Sequence, residues 1–282
     1  MKTREIKRQI RGQRAVDGAG VELVRVVGHR DVYDFDPFLL MDGFDSENPE
    51  DYMKGFPMHP HRGIETLTYL LHGEFEHKDS LGNVGSIKSG EAQWMTAGSG
   101  ILHEEMPKVS KKMLGLQLWI NLPQKEKMSQ PEYHDLTKEN IKEIDEENAF
   151  IRVLSGNYKG KVQGFEPQHV KASVFDVTVK PGKEVVLDTK EDETVYIFFI
   201  DGNGYIGDEF IPSKTAVLFG EGSQIKVKAP EEGTRFVFFS GKPLKEPIAL
   251  GGPVVMNTQE ELNIAFKEMR SGEFIKHKPM KE

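Results

Sequence analysis

The chain has no cysteine, only two tryptophans and no surplus of positive charge. Without cysteine there are no disulfides, thiolate nucleophiles, thiolate-bound zinc or iron–sulfur clusters, so any metal must sit on histidine and carboxylate. No apolar run approaches the ~18 residues of a membrane span, and no apolar stretch of signal-peptide type opens the sequence. The expectation is a protein with no membrane contact that works in the cytoplasm, or in the nucleus of a eukaryotic cell. A formal charge of −8 opposes adhesion to nucleic acid, because binding a polyanion draws on a surplus of Lys and Arg. Two local basic patches, Lys2, Arg4, Lys7, Arg8, Arg11 and Arg14 at one end and Lys276, Lys278 and Lys281 at the other, read as an exposed edge strand and a tail.

What is present is an ordinary globular composition, 37% hydrophobic and 29% charged, over 282 residues. At about 150 residues per domain that length predicts two domains. Short β-branched and aromatic runs at residues 66–71, 114–122, 174–179, 195–200 and 235–239 alternate with Gly, Asp and Asn turns, which predicts an all-β fold. Helical spacing is confined to the end, where Thr258 and Glu261 form a capping-box pattern ahead of Leu262, Ala265, Phe266 and Met269, closed by Gly272. Residues 131–148 turn polar and acidic and read as a connecting segment with one short helix. An internal repeat crosses this seam. Glu65–Thr66 opens an apolar run ending in His72–Gly73, as Glu193–Thr194 opens one ending in Asp201–Gly202. Residues 96–100 match residues 218–222 in the same way.

The chemistry concentrates in the first half. His59 and His61 are two apart, so on an extended strand both imidazoles project from one face. His103 and Glu105 repeat that spacing, whereas Glu104 points away. Two facing strands that each present two inward ligands make a site of three neutral nitrogens and one carboxylate, suited to a divalent first-row metal with open positions. Glu65, four residues after His61 with the right parity, is a rival for the carboxylate position. Pro60 between the first two ligands predicts a strand end or edge. His72 and His77 have no equally placed partners and read as loop residues. In the second half the repeat puts Leu187 and Thr189 in the places of His59 and His61, and Ile225 and Val227 in those of His103 and Glu105. No complete ligand set remains there.

These strings resemble the pirin family, a two-barrel branch of the cupin superfamily. The carrying segments are DPFLLMD at residues 36–42, GFPMHPHRGIET at 55–66, DSLGN at 79–83, QWMTAGSGILHEEMP at 93–107, LWINLP at 118–123 and GPVVMNT at 252–258. The resemblance implies two tandem cupin (jelly-roll) β-barrels. The first spans residues 1–135, completed by 254–282, and carries the metal; the second spans 136–253 and lacks ligands. A C-terminal helix packs back on the N-terminal barrel. It also implies one divalent ion, Fe(II) above Mn, Co, Ni, Cu or Zn, on His59, His61, His103 and Glu105, which leaves Glu65 to orient a histidine.

Two activities come with that resemblance. One is cleavage of quercetin by dioxygen with release of carbon monoxide, with Glu105 as the base that takes the flavonol proton. The other is an iron-dependent regulator that binds transcription factors or metabolic enzymes. On the first reading the partners are a small aromatic substrate and dioxygen, the chain is a monomer, and Phe56, Met58 and Trp94 wall the cleft.

Overall fold

The computed structural model describes residues 1–277, so Lys278 and Lys281 lie outside the described residues. The chain divides into two compact units. The first is built from Arg14–Tyr33, Phe38–Thr137 and the C-terminal stretch from Leu244; the second from Met1–Gln13, Asp34–Pro37 and Lys138–Pro243. Among the described residues no helix is long and apolar enough to cross a membrane.

Both units have the same plan of a seven-stranded and a four-stranded antiparallel sheet. In the first unit the larger sheet runs Glu132–Leu136, Ala92–Thr96, Ile64–His72, Met113–Asn121, Phe38–Ser46, Val21–Val27, Gln13–Asp17, and the smaller one Phe56–His61, Ile101–Pro107, Glu74–Asp79, Val84–Lys88. Leu23, Phe44, Leu70 and Met113 from the larger sheet meet Phe56, Phe75 and Ile87 from the smaller in one buried cluster, so the core lies between the sheets. In the second unit Val185, Leu187, Ile225 and Val227 of the smaller sheet pack in the same way against Ile151, Phe175 and Phe238. Among the described residues the two sheets of each unit share no hydrogen-bonded ladder, so the expected barrel takes the double-sheet jelly-roll form.

The order of strands accounts for the repeat. Ile64–His72 and Thr194–Asp201 hold equivalent central positions, and Phe56–His61 and Glu184–Asp188 equivalent edges. Two sequence expectations change. Residues 131–148 hold the strands Glu132–Leu136 and Lys142–Asp145 rather than a short helix, because each finds a neighbouring edge to pair with. The N-terminal residues do not join the first unit. Ile6–Arg11 is an edge strand beside Thr215–Phe219 in the second, and Arg4 is buried there, donating to Thr189 Oγ1 at 2.8 Å and Gly220 O at 2.6 Å.

The helix Gln259–Ser271 begins with the expected capping box and ends at Gly272, whose φ of 77° is a left-handed conformation that glycine adopts without strain. Leu262 and Ala265 bury against Val254, Met256 and Phe274. Arg62 pins this segment from within the first unit. It donates to Ser99 O at 2.7 Å and Phe274 O at 2.8 Å, and pairs with Glu268 at 2.8 Å.

Candidate metal centre

The Phe56–His61 strand is the edge of the smaller sheet, where Pro60 costs no ladder bond, and it pairs antiparallel with Ile101–Pro107. In that register His59 lies opposite His103, and His61 opposite Ile101. Alternation then turns all three imidazoles to one face. His59 Nε2 is 3.0 Å from His61 Nε2 and 3.0 Å from His103 Nε2, and the ligand atoms of the three all lie within 4.8 Å of one another.

The tautomers of two rings are set by the main chain. His59 Nδ1 is 2.9 Å from Pro57 O, and His61 Nδ1 is 3.2 Å from Pro253 O. A carbonyl only accepts, so each Nδ1 carries the hydrogen and each Nε2 is left with a lone pair. Burial, with the His59 ring beside it, pushes His61 down to about 3. Burial also pulls His103 well below the usual imidazole range, with the other histidines adding to it. In their neutral form the His59 and His61 rings aim lone pairs at one another at 3.0 Å, a repulsive arrangement that a cation between them reverses. Nitrogens ~2.1 Å from one ion and at right angles about it would be separated by about 3.0 Å, the observed spacing. The residues present fit a divalent ion with open coordination positions.

Glu105 stands apart from this cluster. The strand register slips between His103 and Glu105, so Glu105 comes opposite Phe56 instead of continuing the ladder. Its buried carboxylate accepts from Thr68 Oγ1 at 2.7 Å, from Gln93 Nε2 at the same oxygen, and from Gln117 Nε2 at 3.0 Å at the other. Glu104 faces outward to Lys78 at 3.4 Å. Glu65 is buried on the Ile64–His72 strand, where Thr96 Oγ1 donates to it at 2.9 Å. The Nδ1 atoms of His59 and His61 are oriented by carbonyls, not by Glu65.

A cavity of about 520 Å³ opens beside the histidines. His59 and His61 form part of its wall, with Leu40, Phe56, Gln117 and Trp119. Trp119 meets His61 edge-on, ring centres 5.1 Å apart. Arg25 also lines it, bound through Nε and Nη2 to Asp42 at 2.9 and 2.7 Å and through Nη2 to Asp17 at 2.7 Å. Of the three side chains expected to wall the cleft, Phe56 does so. Met58 projects into solvent, half exposed, and Trp94 is buried away from the cavity.

His77 is not a loop residue. It lies fully buried in the Glu74–Asp79 strand, opposite Glu105, stacked on Tyr133 at 4.1 Å and with its ring centre 5.4 Å from that of His103. Asp79, two residues on and of the same parity, reaches His77 Nε2 at 3.3 Å and was the available signal. His72 is exposed at the end of its strand. Gln117 and Trp119 went unremarked in the sequence, although a glutamine inside an apolar strand run marks a buried polar partner.

The sequence pattern of the family described as pirin matches residues 20–120, and that of the pirin C-terminal cupin domain matches residues 174–275. A pirin-like protein of Caulobacter vibrioides is 37% identical over 277 residues, spanning 97% of this chain and 100% of its own. Human pirin is 38% identical over 265 residues, 90% of this chain and 88% of its own. Among solved structures, a quercetin 2,3-dioxygenase from Acinetobacter baumannii superposes with a TM-score of 0.87 at 31% identity, covering 97% of this chain and 99% of that one.

Proposed function

The chain belongs to the pirin family, and from that premise, together with the geometry of its three histidines, we propose that it is a metal-dependent dioxygenase of flavonol type that cleaves quercetin and releases carbon monoxide. The observation that carries this reading is the convergence of the ligand nitrogens of His59, His61 and His103 beside a 520 Å³ cavity, with His59 and His61 in its wall. On this reading His59, His61 and His103 hold one divalent ion, with Glu105 as a fourth ligand through the lone pair of Oε2 that Gln117 leaves free. The Acinetobacter relative of similar structure, named for this activity, supports the choice of an aromatic substrate.

A bound divalent ion supplies Lewis acidity that lowers the pKa of a coordinated hydroxyl. The chain's own groups do the rest. Trp119, Phe56 and Leu40 provide apolar walls for a flat aromatic ring system and exclude water from it. Pro57 O and Pro253 O hold the imidazoles in the tautomer that leaves Nε2 free. Glu105 accepts the proton of the flavonol 3-hydroxyl, and Thr68, Gln93 and Gln117 keep its carboxylate in place while it does so. The anionic flavonol then reacts with one dioxygen molecule, giving a ring-opened product and one carbon monoxide.

Iron is our choice of ion, although three nitrogens and a carboxylate also accept Mn, Co, Ni, Cu or Zn. Protein purified without oxygen and loaded with Fe(II) is expected to release one carbon monoxide per quercetin consumed when air is admitted. Lack of turnover with every one of Fe, Mn, Co, Ni and Cu overturns the reading. A regulator would instead retain a protein partner in pull-downs that respond to chelation.

A further inference from the structure

We propose that Gln117 is a specificity-determining residue of the cavity, its side-chain oxygen accepting a hydrogen bond from a ring hydroxyl of the ligand so that hydroxylated aromatic molecules are selected over their ethers. The inference rests on the reading of the cavity as an aromatic-ligand site.

Gln117 lies in the central Met113–Asn121 strand, hydrogen-bonded on both sides, opposite Thr68 on one neighbour and Asp42 on the other. Its backbone is therefore fixed. Its Nε2 donates to Glu105 Oε2 at 3.0 Å. A carboxylate at that place accepts, so the amide has one sensible orientation, nitrogen toward Glu105 and oxygen away from it. Among the described residues no protein group donates to Gln117 Oε1, and Gln117 lines the cavity. The cavity therefore meets a fixed acceptor. Trp119, two residues on and on the same face, adds an indole wall beside it.

The acceptor cannot be turned into a donor without breaking the bond to Glu105. A hydroxyl satisfies it, while a methyl ether brings only a second acceptor and leaves Oε1 unpaired. Charge points the same way. The guanidinium of Arg25 on the cavity wall is already bound by Asp42 and Asp17, so the cation is engaged before any ligand carboxylate could use it. Neutral aromatics with a hydrogen-bond donor are the chemical class that matches these walls.

The test compares 3-hydroxyflavone with 3-methoxyflavone on the full chain loaded with redox-inert Zn(II), read by quenching of tryptophan emission. Trp119 lines the cavity whereas Trp94 is buried away from it, so quenching reports occupancy without turnover. The same ratio is measured on the metal-free chain, and a change in the ratio of dissociation constants that appears with and without the ion is the share of Gln117 apart from the metal. Gln117→Met is expected to reduce that ratio by about fivefold to tenfold, the worth of one hydrogen bond. Gln117→Asn, which draws the amide back by one methylene, is expected to do the same and replaces the methionine variant if that one does not fold. An unchanged ratio in the folded variant, or equal affinities in wild type, overturns the inference and leaves the cavity reading standing. Failure of both flavones to quench wild type overturns the cavity reading and this inference with it.

Discussion

His59 and His103 face one another across two strands of the first unit with their Nε2 atoms 3.0 Å apart, and the facing pair at the equivalent place in the second unit is Leu187 and Ile225. One plan of sheets thus yields opposite interiors, a polar cluster in one and a sealed apolar core in the other.

From this contrast follows the stoichiometry. Metal analysis of gently purified protein is expected to give one ion per chain. His59→Ala and His103→Ala should each lower affinity by at least about tenfold, since even partners that only orient ligands are worth that much. An ion retained at wild-type level in both variants contradicts the three-histidine assignment.

Lys127 provides a pH dependence away from the metal. It is 2% exposed, donates to Gly63 O at 2.9 Å and Asn121 Oδ1 at 2.5 Å, and burial pushes it down to about 7. Unfolded, a lysine keeps its proton to about 10.4, so between these values the unfolded chain binds more protons and stability rises with pH. The stabilising effect of the neutral amine is complete above the unfolded value and is lost as pH falls toward 7. Lys127→Met abolishes the dependence. Urea unfolding at pH 7 and pH 9 should show the wild type gaining on the variant by on the order of 2 kcal/mol.

The ligand pairs were legible because their information is local: period-two spacing on a strand puts His59 with His61 without knowledge of the fold. The group that orients His61 was not, since Pro253 O comes from 192 residues away. Parity also fixes which residues share a face but not which face is inward. Gln93 turns to Glu105, so its neighbour Trp94 must turn to the other side, away from the cavity it was expected to line. His77 was misread as a loop residue because its strand is short and lies between Gly73 and the turn at Asp79–Asn83. Glu105 keeps the parity of His103 on its own strand, whose pairing with Glu74–Asp79 is continuous, and the register slip adds its extra residue in the Phe56–His61 strand opposite, which spacing within one strand does not reveal.

Arg62 joins the C-terminal segment to the strand that follows the metal ligands. Its guanidinium is 2% exposed, donates to two carbonyls, pairs with Glu268 and lies 4.3 Å over the Phe274 ring. Arg62→Ala leaves Ser99 O and Phe274 O without their donor and breaks a largely buried pair, which should cost about 3–5 kcal/mol. Chemical denaturation measures the loss. Hydrogen exchange should show it first in the Gln259–Ser271 helix, because that element is held through Glu268 and Phe274.

Gly63 links the same segment to the metal ligands. Its φ is 77°, and a Cβ there would fall 1.9 Å from Val255 O, a main-chain atom that cannot step aside alone. Gly63→Ala must therefore displace the Val254–Met256 strand, and Pro253, next to it, carries the carbonyl that sets the tautomer of His61. Released from that carbonyl, His61 can place its hydrogen on Nε2 and lose the lone pair aimed at His59. The expected result is a drop in metal affinity of about 10–100-fold, the range seen when a ligand's orienting partner is removed, in a chain whose three histidines are all intact. Competition with a coloured chelator reads the affinity, and thermal unfolding of metal-free protein reads the strain separately. Unchanged affinity in a destabilised Gly63→Ala protein would show that the return segment braces the fold without governing the metal.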